Sequence, residues 1–183
     1  MIIKTIFAGF GGQGVLSMGY ILALAAMHEG SEVTYLPAYG AEVRGGAANC
    51  TVSVGDEEIA SPIASEPEFV VVMNKPSLLR FQNHVQAGGE IFVNSSMIDI
   101  EPSRKDITVH SIPATEMAEE LGEVRAANMV MLGAFVKKTR LISAESVEGA
   151  IEEFFSNKKK VIATNKEAFG IGIRYAENND KDI

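Results

Sequence analysis

Apolar positions along the chain alternate between short runs rich in β-branched residues and longer stretches with helical spacing. Ile2 to Phe7 is a short run of the first kind that ends at Gly9, and it reads as a buried strand. Val15 to Glu29 follows helical logic, with Gly30 as its stop. Glu32 to Leu36 reads as a second strand that Pro37 terminates, and the three pieces have the length of a right-handed parallel crossover. Asn49–Val54, Phe69–Met73, Glu90–Asn94 and Ile107–Ile112 are further strand candidates. Asn74, Lys75 and Pro76 set a capping residue and a proline where a helix to about His84 can begin, and Gly88-Gly89 reads as a turn. Ala114–Leu121, Arg125–Thr139, Ser143–Phe155 and Val161–Tyr175 read as helices, with Ser143 as an N-cap and with Gly170 and Gly172 weakening the last.

Strands alternating with helices predict an α/β fold: a single Rossmann-like domain with a mostly parallel or mixed sheet flanked by helices. A glycine-rich loop, not a helix, precedes Asn49, so an antiparallel part of the sheet is expected there. Residues 1–176 are expected to form the domain and residues 177–183 a polar C-terminal tail.

Length and composition narrow the function. The 183 residues suit one domain with a sizeable core, and 46% apolar with 22% charged residues is ordinary for a globular chain. A mean hydropathy of +0.11 leaves room for an apolar surface covered by a partner, although a tight core gives the same value. The formal net charge of −8 argues against nucleic acid or an anionic membrane as partner, since both demand clustered Lys and Arg. The basic run Lys158 to Lys160 reads as a solvated face. Val15 to Met27 is apolar but too short to span a bilayer, and no basic region precedes it as in a secretory signal, so a cytoplasmic protein is expected.

Cys50 is the sole cysteine, which excludes an intrachain disulfide and a cysteine-held metal or iron–sulfur centre, and its apolar setting predicts an inert core thiol. His28, His84 and His110 are scattered without metal-ligand spacing or a paired nucleophile.

Chemistry concentrates in two glycine-rich segments. Gly9-Phe10-Gly11-Gly12-Gln13-Gly14 satisfies G-x-G-x-x-G between a strand and a helix, the context in which backbone N–H groups approach an anion. A dinucleotide site also needs an acidic residue at the end of the second strand, where this chain has Leu36-Pro37-Ala38-Tyr39; Glu32 stands at the wrong end. Gly9, Gly11, Gly12, Gln13 and Gly14 therefore remain candidates for an anion or partner contact, against the plainer reading of glycines that permit close packing. The amide of Gln13 can bond to the loop backbone or reach across an interface.

The second segment runs from Pro37 to Gly46. It sets Tyr39, Glu42 and Arg44 among glycines, with Gly45 and Gly46 allowing close backbone approach and Arg44 suited to a bidentate contact with phosphate or carboxylate. An internal Glu42–Arg44 pair that orders an exposed loop is the plain alternative. Both segments follow the carboxyl ends of parallel strands, the edge at which open α/β sheets bind.

Taken together, Gly9-x-Gly-Gly-Gln-Gly14-Val15, Pro37-x-Tyr39-Gly40-x-Glu42-x-Arg44-Gly45-Gly46 and Asn49-Cys50 closely resemble the gamma subunits of 2-oxoacid:ferredoxin oxidoreductases. The resemblance continues through Ser61-Pro62, the Phe69–Pro76 segment, Asn128-Met129-Val130-Met131-Leu132-Gly133 and Asn165-x-x-Ala168-Phe169-x-Ile171-Gly172, almost the whole chain. It implies a non-catalytic subunit of a complex that converts a 2-oxoacid and coenzyme A to acyl-CoA, CO2 and reduced ferredoxin. Thiamine pyrophosphate, Mg2+ and [4Fe-4S] clusters are then expected on the partners, namely alpha, beta and ferredoxin-like delta subunits, with ferredoxin as acceptor. The resemblance also implies roles at an interface or substrate approach for Tyr39, Glu42, Arg44, Gly45 and Gly46. An independent nucleotide- or dinucleotide-binding enzyme, or a scaffold domain of an indolepyruvate ferredoxin oxidoreductase, are the alternatives.

Overall fold

The computed structural model describes residues 1–40 and 46–179. Six strands, β1 (Ile2–Phe10), β2 (Glu32–Tyr39), β3 (Ala47–Gly55), β4 (Phe69–Val72), β5 (Glu90–Asn94) and β6 (Thr108–Ile112), form one sheet in the order β2-β3-β1-β4-β5-β6. Its helices are α1 (Val15–His28), α2 (Lys75–Phe81), α3 (Ala114–Glu120), α4 (Ala127–Thr139), α5 (Ala144–Phe154) and α6 (Lys159–Asn178), and a short 3-10 turn, Val124–Ala126, leads into α4.

The sheet is mixed. β1, β4, β5 and β6 are parallel neighbours, whereas β3 lies antiparallel between β1 and β2. The first crossover is therefore split: β1 and β2 run in the same direction but never pair, because β3 is inserted between them. Pro37 does not end β2 as expected; the strand continues to Tyr39. β2 is one of the sheet's two outer strands, where a residue without an N–H need not break a ladder bond.

Side chains on the inner strands alternate between two cores, as the pleat requires. Phe7, Val71 and Phe92 face α1, α3, α4, α5 and α6, while Ile6, Ala8, Val70, Val72, Ile91 and Val93 face the smaller cluster with Leu78 and Phe81 of α2. Phe135 of α4 centres the larger core, its ring edge-on to Phe7 and Phe69 at 5.6 Å and to Phe92 at 5.1 Å. The expected caps are present: Asn74 accepts from the Ser77 N–H on α2, and Ser143 accepts from the Ser146 N–H on α5.

α6 extends past both ends of the expected Val161–Tyr175, and a glycine that counted against it serves its packing. Gly133 of α4 and Gly172 of α6 let the two helices pack backbone to backbone, since a Cβ at Gly133 would collide with the Phe169 carbonyl and one at Gly172 with the Val130 carbonyl. α1 buries Met18, Ile21, Leu22, Ala25 and Ala26 but leaves Tyr20 and Met27 exposed, so it is covered on most sides, not all. Among the described residues, no helix is long and apolar enough to cross a membrane. The polar tail expected from Glu177 lies, from residue 180 onward, outside the described residues.

Candidate functional site

Because β1 and β2 run the same way, the loop after each emerges at one edge of the sheet. Register enforces closer contact: β3 starts with Ala47 opposite Phe10 of β1, and Ala48 opposite Tyr39 of β2. β3 therefore begins beside the glycine loop. Gly11 N–H donates to the Gly46 carbonyl at 2.8 Å, which joins the two glycine-rich segments by their backbones.

Gln13 organises the first loop. Its Oε1 accepts from Phe10 N–H at 2.7 Å and from Asn74 Nδ2 at 2.8 Å, and its Nε2 donates to the Met73 carbonyl at 3.2 Å. Its amide is thus used inside the fold, bonding to loop backbone and to the residue that caps α2. Gly9 is buried directly beneath it, where a Cβ would lie 2.7 Å from Gln13 Oε1 and 3.1 Å from the Met73 Cβ. Gly11 and Gly12 are exposed. Gly14 closes the loop at φ 72°, a left-handed conformation that glycine adopts without strain, and its carbonyl accepts from Asn128 Nδ2 at 3.2 Å.

At the end of β2, Tyr39 is 75% exposed, while Gly46 is buried. Glu42, Arg44 and Gly45 lie outside the described residues, and with them the expected Glu42–Arg44 pair. Two further residues share this edge: Asn49, which the sequence brought in only through the Asn49-Cys50 motif, and Arg80, which it did not single out. Asn49 and Arg80 line a hollow of about 220 Å³ with Ala38, Tyr39, Gly40 and Ala47, and a second of about 80 Å³ with Gly9, Phe10 and Phe81. The Arg80 guanidinium lies 5.0 Å from the centre of the Phe81 ring. No local pattern marks Arg80, because α2 reaches the edge only through tertiary packing.

Among the described residues, acid–base and nucleophilic groups do not converge here. Cys50 is fully buried, its thiol donates to the Val15 carbonyl at 3.4 Å, and burial pushes its pKa up to about 12. His28 pairs with Glu153 at 3.1 Å and His110 with Glu90 at 2.6 Å, both away from the loops. Among the described residues, no group of three or more His, Cys, Asp or Glu is placed to hold a metal ion. A dinucleotide ribose would meet Tyr39, not a carboxylate, at the end of β2.

This architecture is shared with known proteins. The model of the family described as pyruvate ferredoxin/flavodoxin oxidoreductase matches residues 4–175. The ketoisovalerate oxidoreductase subunit VorA of Methanothermobacter marburgensis is 38% identical over 178 residues, covering 97% of this chain. The chain spans only 37% of that relative's length. Among solved structures, the gamma subunit of a keto/oxoacid ferredoxin oxidoreductase from Geobacter sulfurreducens superimposes with a TM-score of 0.83 at 25% identity, over 96% of this chain and 99% of that one. The 2-oxoglutarate:ferredoxin oxidoreductase of Magnetococcus marinus, with 2-oxoglutarate, coenzyme A and succinyl-CoA bound, gives a TM-score of 0.88 at 26% identity; it covers 97% of this chain and 31% of that one. These likenesses do not favour an independent dinucleotide-binding enzyme. On a match that runs from the first strand into the last helix, the chain belongs to the pyruvate ferredoxin/flavodoxin oxidoreductase family.

Proposed function

We propose that this chain is the non-catalytic gamma subunit of a cytoplasmic 2-oxoacid:ferredoxin oxidoreductase and docks on the thiamine-binding subunits through the edge that carries Gly9–Gly14 and Pro37–Gly46. The observation that carries the reading is the juncture of the two loops, Gly11 N–H on the Gly46 carbonyl, beside a largely exposed tyrosine on a rigid sheet edge. Exposed backbone at Gly11 and Gly12 and the ring of Tyr39 suit contact with another polypeptide. Thiamine pyrophosphate, Mg2+ and [4Fe-4S] clusters sit on the alpha, beta and ferredoxin-like delta partners in this reading, and ferredoxin accepts the electrons. One buried thiol cannot ligate a cluster, which supports placing the clusters on a partner.

Within the complex, the edge helps to close the approach of the 2-oxoacid and coenzyme A. Arg44 contacts an anion or a partner carboxylate, Glu42 orders Arg44, Tyr39 packs against the partner, and Gly45 and Gly46 allow the backbones to approach. Residues 1–176 form the docking domain and residues 177–183 a polar C-terminal tail whose first two residues, Glu177 and Asn178, finish α6. Reconstitution of the complex with Arg44→Ala tests the role: weaker assembly or a raised KM for coenzyme A is expected. Unchanged assembly, acyl-CoA formation and KM together would remove Arg44 from the proposal, and substrate turnover by the isolated chain would remove the proposal itself.

A further inference from the structure

α1 is apolar on nearly every side, with Ser17 and His28 as its strongly polar exceptions. A helix of that composition belongs inside a protein, yet one side of α1 is not covered. Leu16, Tyr20, Leu24 and Met27 recur every three or four residues and share that side. Leu16 and Leu24 are half-buried, while Tyr20 and Met27 are 45% and 60% exposed.

Neighbouring elements widen the stripe. The Tyr20 ring lies edge-on to Tyr35 of β2 at 5.7 Å and tilted against Phe154 of α5 at 5.5 Å. Phe154 is itself exposed and meets Phe155 at 4.7 Å. Alternation along β2 sets Pro37 and Tyr39 on the same face as Tyr35, so this surface is continuous with the exposed tyrosine of the loop edge. Isolated exposed apolar side chains are ordinary, but touching aromatic rings on three elements form a patch, and such patches mark interaction surfaces.

Charge identifies what can cover it. α1, β2 and α5 contain no Lys or Arg, whereas Glu32 lies in β2, Glu145, Glu148, Glu152 and Glu153 lie in α5, and Glu29 directly follows α1. Lys166 of α6 answers Glu148 and Glu152, and His28 lies 3.1 Å from Glu153. A second copy docked face to face would bring the same carboxylates against these, with a net charge of −8 on each copy. A face that is apolar at its centre and rich in Lys and Arg at its rim fits instead.

We propose that the face formed by α1, β2 and α5 continues the docking surface of the loop edge and is covered by a thiamine-binding partner subunit, through an apolar patch rimmed by Lys and Arg. The inference rests on the subunit role proposed above and adds where, and by what chemistry, the partner extends over this chain.

Met27→Cys supplies the first test, since the native thiol of Cys50 is buried. A maleimide should modify the introduced thiol freely in the isolated chain, and that modification should be lost in the assembled complex. Met27→Lys and Glu153→Lys set a cation against the basic rim, and each should weaken association with the partner subunits about tenfold. Both positions are exposed in the isolated chain, so melting should remain that of the parent. Equal reactivity of the thiol in chain and complex, or parent-like association of both Lys variants, would overturn the inference while leaving the loop-edge role standing. Protection of the thiol in the isolated chain at high concentration would assign the face to a second copy and overturn it likewise. If the parent chain enters no complex with thiamine-binding subunits, the subunit role and this extension of it fall together.

Discussion

Gln13 Oε1 accepts from Asn74 Nδ2 at 2.8 Å, and through this contact the loop after β1 is tied to the N-cap of α2, 61 residues away in sequence. Asn74 in turn accepts from Ser77 N–H at 2.9 Å, and Gln13 Nε2 reaches the Met73 carbonyl. One amide thus holds together the ends of β1 and β4 and the start of α2. Gln13→Ala leaves the Asn74 amide, on a residue only 2% exposed, without its acceptor. A loss of about 1–3 kcal/mol in urea unfolding is expected. Gln13→Glu, which keeps an acceptor but loses the donor to Met73, should recover only part of it.

The glycines of the last helices are separable by experiment. Gly133→Ala and Gly172→Ala each drive a methyl group into the carbonyl of the facing helix and should cost at least about 1–3 kcal/mol, the scale of overpacking. Gly149, in α5, is exposed, and a methyl group added there would meet nothing within 4 Å. Gly149→Ala should therefore stabilise the chain by about 1 kcal/mol through helix propensity alone. Chemical denaturation of the three variants checks the opposite signs.

Much of this fold was legible in the pattern of apolar residues. The strand beginning at Ile2, the helix beginning at Val15 and the caps at Asn74 and Ser143 follow from local rules and stand where those rules put them. Pro37 misled because its effect depends on whether a strand is central or outer, a property of the sheet that β2 alone does not encode. Gly170 and Gly172 counted against a helix that is nonetheless present: helix propensity treats glycine as a loss, while the α4 contact at Gly172 requires it. At the loops, the glycine patterns and Tyr39 were visible, but the partners were not. Gln13 meets Asn74 and Asn128 meets Gly14 across 61 and 114 residues, distances at which a sequence carries no local mark of contact.

Cys50 and Tyr35 make stability depend on alkaline pH. Burial raises the Cys50 thiol from 9.0 to about 12, and burial, with added charge repulsion from Cys50 and Tyr20, raises the Tyr35 phenol from 10.0 to about 12. Each group holds its proton more tightly when folded, so its contribution is complete below its unfolded pKa. It is lost as pH rises through the window from about 9 to about 12. Urea midpoints should fall across that window, with Cys50→Ala showing a shallower fall from its lower end. In the same chain, a thiol reagent at pH 8 should leave Cys50 unmodified until denaturant is added.

Tyr39 separates folding from assembly. It stands at the end of the outer strand with most of its ring in solvent, so truncating it removes little that the isolated chain uses. Tyr39→Ala should change unfolding stability by less than about 0.5 kcal/mol. If the loop edge is the docking surface, an exposed tyrosine beside a backbone-rich turn is the type of side chain that anchors an interface, and its loss should weaken association by about 2 kcal/mol or more. That corresponds to roughly a 30-fold higher dissociation constant. Affinity of immobilised partner subunits for the parent and variant chains, measured alongside urea unfolding, gives both readings. A variant that folds and associates like the parent would move the docking surface away from the end of β2, whereas one that folds normally but fails to associate would assign it there.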